Sequence, residues 1–380
     1  MKIELVTIGN EVLSGHTLNT NAHFIAQELF KEGYKLSKET TVQDDEGDIS
    51  QEIHRALDRS DFVITTGGLG PTIDDISGQV VEKSLMSVPE LIPNHLGSAP
   101  GLIFHRGEHA VAMLPGVPYE MKAMFLEFVI PYIKNKYPLE KRPYRKILCF
   151  TGLYEIAVDP LLRELKEQYP ELEFGIYPSL GLLQVHIYAY ANDEEKANIL
   201  INRASEKLLK EFAEFNYESA TGSIEDAIQT LFVKKGWTLS AAESCTGGTV
   251  SSHLTQIPGA SQYFLGSVIT YADETKTSIL GVSAQTIDSF GSVSEEVVLE
   301  MVSGVNRVFN SDFSVAVTGI AGPSGGTDLK PVGTVWFAIQ RRGKEPISWK
   351  IERKGTRTMI INRSMNQLLS KLYHYAKHEA

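Results

Sequence analysis

A glycine-rich loop following directly on a short apolar strand recurs in this chain and constrains its fold more than any other feature. Asp61–Thr66 runs into Gly67-Gly68-Leu69-Gly70-Pro71, Thr238–Ala242 into Glu243-Ser244-Cys245-Thr246-Gly247-Gly248, and Phe313–Val317 into the loop Gly319–Gly326. Around the first loop the periods alternate. Lys2–Ile8 is β-rich, Ala22, Ile25, Ala26, Leu29 and Phe30 recur at helical spacing until Gly33, and Ile49–Leu57 reads as a second helix. Strand, helix, strand and glycine loop at this spacing predict an α/β fold with a parallel sheet.

Three segments differ in texture. Val111–Leu114 and the helix after Pro115-Gly116-Val117-Pro118 complete a first domain, 1–138. The polar, basic stretch Lys134–Tyr144, with Pro138 and Pro143, reads as a boundary. Segment 144–216 predicts a small α+β unit: a strand Lys146–Thr151, a helix Asp159–Gln168, strands Leu172–Tyr177 and Leu183–Ala189, and a charged helix Asp193–Phe215. After the linker Glu218–Ser223, segment 222–380 returns to α/β alternation, with a helix that Ser294 caps and Glu295 and Glu296 open.

Composition narrows the partners. The 380 residues carry 36 Lys and Arg against 47 Asp and Glu, a formal net charge of −11, so nothing global attracts nucleic acid or an anionic membrane. No apolar run reaches the ~18 residues of a membrane span, and the N-terminus has no signal-peptide pattern. Cys149 and Cys245 form neither a disulfide framework nor a zinc spacing, which suits a reducing cytoplasm. His374 and His378 lie four apart beside Lys377 and Glu379, a pattern of a solvated helix face rather than a metal pair.

The chemistry concentrates in the C-terminal loops. Ser244 sits in a strand-to-helix turn, where a side chain is presented over a helix N-terminus. By these residues alone it reads first as an N-capping serine in a tight turn and second as a nucleophile. A serine nucleophile needs a base. Lys276, in Tyr271-Ala272-Asp273-Glu274-Thr275-Lys276 at the end of a strand, can serve if neutral, with Tyr271 hydrogen-bonded between the two. The carboxylates Glu243, Asp273 and Glu274 are then expected to turn away from the ammonium. The glycines of Thr318-Gly319-Ile320-Ala321-Gly322-Pro323-Ser324-Gly325-Gly326-Thr327 let backbone N–H groups approach a ligand.

Through Ala241–Gly248, Ile269–Val282, Val293–Gly304 and Val317–Thr334, the last 160 or so residues resemble the C-terminal domain of the CinA family, the nicotinamide mononucleotide deamidase domain. The resemblance implies a Ser/Lys amidohydrolase. Ser244 would be the nucleophile and Lys276 the base, with Tyr271 and Thr318 in support. Thr246, Gly247, Gly248, Gly319, Gly322 and Arg357 would be substrate contacts, the Thr246–Gly248 turn holding the oxyanion. Around Arg357 the family's acidic pair is missing, and Ile361 stands where it has a second arginine. Cys245 is a rival nucleophile one residue away. Deamidation implies no cofactor.

The first domain resembles the molybdopterin-binding, MoaB/MogA-like, three-layer α/β fold at the front of CinA proteins. The match rests on Ile8–Gly15 with Asn19 and Asn21, Thr65–Thr72 with Asp74-Asp75, and Leu114–Met121. It implies nucleotide binding by Gly67, Gly68, Gly70 and Thr72, a divalent metal such as magnesium at Asp74 and Asp75, and ADP-ribose pyrophosphatase activity. Only 18 residues separate Asp75 from the motif Asn94–Gly101, so a flanking subdomain is deleted relative to the family. The middle unit resembles a KH-like domain without a basic Gly-x-x-Gly loop, so RNA binding does not follow. The expected protein is thus a cytoplasmic homodimer acting on small nucleotides. The alternatives are a pyrophosphatase, or a non-catalytic interaction protein of competence or DNA repair.

Overall fold

The computed structural model describes residues 1–70 and 75–379. It divides into two compact units, Met1–Pro143 with Tyr190–Asp193, and Tyr144–Ala189 with Glu194–Ala380. Among the described residues no helix is long and apolar enough to cross a membrane.

The first unit is built on a six-stranded sheet of β1 (Ile3–Ile8), β2 (Leu36–Val42), β3 (Phe62–Thr66), β4 (Glu90–Ile92), β5 (Gly101–Arg106) and β6 (His109–Leu114), in the order β2-β1-β3-β6-β5-β4. The four strands from β2 to β6 in that order run parallel, β5 pairs antiparallel with β6, and β4 pairs antiparallel with β5. β1 and β3 are buried along their whole length, as apolar strands covered on both faces must be. One face packs against helices Thr20–Lys31 and Pro118–Lys136, the latter passing through a π-helical turn at Phe125–Val129. The other face packs against Glu46–Arg59 and Ser77–Leu85. β2 has no apolar stripe to announce it. It is an edge strand of sequence Leu-Ser-Lys-Glu-Thr-Thr-Val, held by its ladder to β1. Between helix Ser77–Leu85 and β4 only four residues remain, where the sequence indicates a deleted excursion.

In the second unit, residues 144–216 contribute β7 (Arg142–Thr151), β8 (Leu172–Ser179), β9 (Leu182–Ala191) and β10 (Asn216–Tyr217), in the order β10-β7-β9-β8, with helices Glu155–Gln168 and Glu194–Glu211. The remainder forms a sheet of β11 (Leu239–Glu243), β12 (Phe264–Ile269), β13 (Phe313–Gly319), β14 (Thr334–Arg341) and β15 (Ile347–Glu352), ordered β12-β11-β13-β14-β15. Its first three strands are parallel and the last two antiparallel. The closing helix Arg357–His378 is common to both parts. Tyr373 Oη accepts the Glu218 N–H, Asn366 donates to the Leu180 carbonyl, and Cys149 and Tyr217 join the core that its apolar face covers. His374 is not on a solvated face: it is half-buried with Nε2 2.9 Å from Thr151 Oγ1. Both cysteines are buried and free.

Candidate functional site

The nucleophile turn is organised by the residue before it. β11 ends at Glu243, whose carboxylate is fully buried. Its Oε2 accepts from Thr246 Oγ1 (2.7 Å) and the N–H groups of Gly248 (3.0 Å) and Val250 (3.1 Å). Oε1 accepts from the Ser251 N–H (2.9 Å) and hydroxyl. The helix Thr249–Thr255 would otherwise begin with unsatisfied N–H donors, and a carboxylate there satisfies them and complements the helix dipole. Gly247 and Gly248, at φ +58 and +98, take the left-handed conformations the turn requires.

This corrects the expected oxyanion site. The Gly247 N–H donates to the Ser244 carbonyl and the Gly248 N–H to Glu243, so both are occupied, and Thr246, Gly247 and Gly248 do not line the cleft. The N–H groups of Cys245 and Thr246 have no backbone partner among the described residues, and that of Cys245 meets its own thiol. Ser244 itself donates its N–H to the Val317 carbonyl (3.0 Å), tying the turn to β13. Its hydroxyl makes no hydrogen bond among the described residues and lines the cleft.

Lys276 does not lie at a strand end. β12 stops at Ile269, and Lys276 sits in the helix Asp273–Leu280, only 1% exposed. Its Nζ donates to Asp273 Oδ1 (3.2 Å) and to the Tyr271 carbonyl (3.4 Å). Asp273, expected to turn away, is therefore its ion-pair partner. The helix brings residues three apart onto one face, a geometry invisible while the segment is read as a strand. Burial pushes the Asp273 carboxyl up, but hydrogen bonds from Ser292 and Lys276 outweigh it and hold it below the usual value. Tyr271 does not bridge Ser244 and Lys276. Its exposed hydroxyl accepts from Arg357 Nη2 (2.9 Å), while Arg357 Nη1 donates to the Gly322 carbonyl (2.8 Å). Thr318 is buried and donates to the Ser292 carbonyl (2.8 Å).

Ser244, Cys245, Tyr271, Lys276, Thr318, Gly319, Gly322 and Arg357 line one cleft of about 240 Å³, together with Asp273, Ser292, Ser324 and Gly325. Burial pushes the Cys245 thiol up to about 12. Its own N–H and the cations Arg357 and Lys276 counter this only in part, and Glu243 adds to it. A thiol so protonated is a poor nucleophile beside a free serine hydroxyl. Sequence reasoning gave no role to Ser292, which carries no motif signal, or to Lys330, whose Nζ donates to the carbonyls of Phe290 and Val293 and braces the loop beside the cleft.

The N-terminal glycine loop lines a separate cleft of about 460 Å³. Gly67, Gly68, Gly70 and Asp75 contribute to it with Glu11, Asp44, Ser98, Ala99 and Glu120. A Cβ on Gly67, at φ +106, would fall 2.0 Å from the Ile8 carbonyl oxygen, so the loop and β1 approach only through glycine. The motif asparagines brace residues that line it. Asn21 donates to Thr66 Oγ1 and the Gly116 carbonyl, and Asn94 to the Ala99 carbonyl and the buried Glu120. Thr72 and Asp74 lie outside the described residues. Among the described residues no group of three His, Cys, Asp or Glu side chains comes together to hold a metal.

Comparison with known proteins agrees with this division. Residues 221–376 match the family described as the CinA C-terminal domain, and residues 4–135 the family described as the probable molybdopterin binding domain. A relative from Desulforudis audaxviator, named among the competence-damage inducible proteins, is 33% identical over 421 aligned positions that span all of both chains. That alignment is 41 positions longer than the 380 residues here, so the relative carries residues with no counterpart in this chain. One of the same name from Halothermothrix orenii is 34% identical over 99% of each chain. The solved competence/damage inducible protein CihA from Agrobacterium tumefaciens is 37% identical over 39% of this chain and 91% of its own, with a TM-score of 0.39.

Proposed function

The chain belongs to the CinA family, and on that premise we propose that its C-terminal cleft is a nicotinamide-nucleotide amidase site, hydrolysing nicotinamide mononucleotide to nicotinic acid mononucleotide and ammonia. The observation that carries the reading is the meeting, in one cleft, of a serine hydroxyl without a partner among the described residues and a buried lysine amine. Ser244 Oγ attacks the carboxamide carbon while neutral Lys276 takes the hydroxyl proton. The oxyanion lies against the backbone N–H of Cys245, which lines the cleft beside Ser244. Collapse expels ammonia with the proton returned by Lys276. A water molecule, deprotonated by the same amine, then releases the carboxylate from Ser244. Asp273 keeps Nζ aimed after each proton transfer, the Ser292 hydroxyl donates to Asp273 in turn, and Thr318 holds the Ser292 carbonyl. Ammonia release from nicotinamide mononucleotide tests the reading. Purified protein that releases none, or a Ser244→Ala variant that releases it at the wild-type rate, refutes it.

A second reading attaches to the N-terminal cleft, where glycines admit a phosphate beside Asp75: cleavage of ADP-ribose with a divalent cation. The shortened segment beside that cleft counts against turnover. Release of AMP from ADP-ribose with added magnesium, absent in Asp75→Ala, would support it.

A further inference from the structure

Resting on the amidase reading, we propose that Ser292 is a positioning residue whose hydroxyl holds Asp273 back from Lys276, so that the amine can act as a base, and that Lys330 fixes the strap carrying it. A serine–lysine pair works only when the lysine gives up its proton, and a carboxylate beside the ammonium opposes that. Asp273 is such a carboxylate, and its two oxygens are divided between partners. Oδ1 accepts from Lys276 Nζ at 3.2 Å, longer than the ~2.7–2.9 Å of a close charge-assisted bond. Oδ2 accepts from the Ser292 hydroxyl. The Asp273 side chain is 48% exposed, so packing restrains it little, and the bond from Ser292 is what keeps both oxygens from turning onto the ammonium.

The strap is residues 290–293, between helices Ala284–Phe290 and Glu295–Phe309, and each of its four carbonyls is held. Lys330 Nζ donates to those of Phe290 (2.5 Å) and Val293 (2.7 Å), Ser294 Oγ to that of Gly291 (2.9 Å), and Thr318 Oγ1 to that of Ser292 (2.8 Å). A strap pinned at every carbonyl presents its one hydroxyl, that of Ser292, at a fixed place in the cleft. The other charged and titratable groups around Lys276 are engaged elsewhere. Glu243 is bound within the turn after β11, Arg357 donates to Gly322 and to the Tyr271 hydroxyl, and burial keeps the Cys245 thiol protonated. Glu274, on the same helix as Lys276, is exposed. Helix Glu295–Phe309, packed on that helix, turns Val297, Val298 and Met301 inward, while its Glu300 is bound by Ser283 and Thr286 and its Arg307 donates to the Leu280 carbonyl.

The test is the pH–rate profile of ammonia release from nicotinamide mononucleotide. Ser292→Ala frees Asp273 to close on the ammonium. The acid limb of kcat/KM should therefore move up by about 0.5–1 pH unit, the scale of one lost hydrogen bond, with the alkaline plateau within about 3-fold of wild type. Where Asp273→Asn has already removed the carboxylate, Ser292→Ala should move the limb no further. Lys330→Met should also move the limb up, but not when added to Ser292→Ala. A shift that persists there would be the direct effect of the lost charge and would overturn the part given to Lys330. A limb unmoved or lowered in Ser292→Ala, or raised equally without the Asp273 carboxylate, overturns the part given to Ser292. If the wild type releases no ammonia, the amidase reading fails, and an NMR titration of the Lys276 amine decides the restraint. A midpoint higher in Ser292→Ala than in wild type upholds it, and an equal or lower one overturns it.

Discussion

Replacing Glu243 by glutamine changes one oxygen for an amino group in a fully buried side chain that accepts five hydrogen bonds. With the new NH2 in the Oε1 position, the Ser251 N–H faces a donor. In the Oε2 position, the N–H groups of both Gly248 and Val250 do. The better orientation therefore orphans one buried N–H, at ~1–3 kcal/mol. It also turns the remaining charge-assisted bonds into neutral ones of about half the strength. Relief of the buried charge's desolvation offsets part of this, leaving a loss of about 3 kcal/mol. At ~2–4 °C per kcal/mol for a unit of this size, the melting temperature should fall by roughly 6–12 °C. The turn also carries the Cys245 N–H into the cleft, so loosening it should lower kcat about 100-fold, the scale of a lost oxyanion donor. Urea denaturation and steady-state ammonia release measure the two effects. A variant within ~0.5 kcal/mol of wild type that keeps more than about half its kcat would refute the role given to Glu243.

Ser244→Ala should abolish deamidation, while Cys245→Ala keeps most of it, since burial holds that thiol protonated. The reverse pattern in an ammonia assay would make this a cysteine amidase. Lys276→Arg should keep less than about a tenth of kcat although the charge is preserved, because a guanidinium does not act as a base near neutrality. Asp273→Asn removes the carboxylate beside Lys276 Nζ, so the acid limb of the pH–rate profile should move to lower pH, and an unmoved limb would place the base elsewhere. Burial, with Arg145 nearby for His186 and Lys377, His378 and Lys371 nearby for His374, lowers both histidines to about 4 from 6.5. Between those values the unfolded chain binds protons that the folded one excludes. Their contribution to stability is thus complete above pH 6.5 and is lost as pH falls toward 4. The slope of unfolding free energy against pH should show uptake of up to about two protons there, reduced in His186→Gln.

Strands and glycine turns were legible because their cause is local. β1, β3, β11 and β13 are apolar runs buried on both faces, and Gly67, Gly247 and Gly248 sit at backbone angles that other residues resist. Ser244 and Lys276 from their motifs, and Thr318 and Arg357 from the family resemblance, meet in one cleft because each lies at or shortly after the end of a strand of the same sheet. β2 escaped notice because an edge strand needs only ladder bonds and shows no apolar stripe. What Glu243, Asp273 and Tyr271 do was decided only in three dimensions. Side-chain direction depends on whether Lys276 lies on a strand or a helix, and on which donors a buried carboxylate meets after the chain has turned. The contacts of the closing helix with residues 149–222 are of the same kind. Thr151 and His374 are 223 positions apart, and no local pattern links two residues that meet only when separate elements pack on one core.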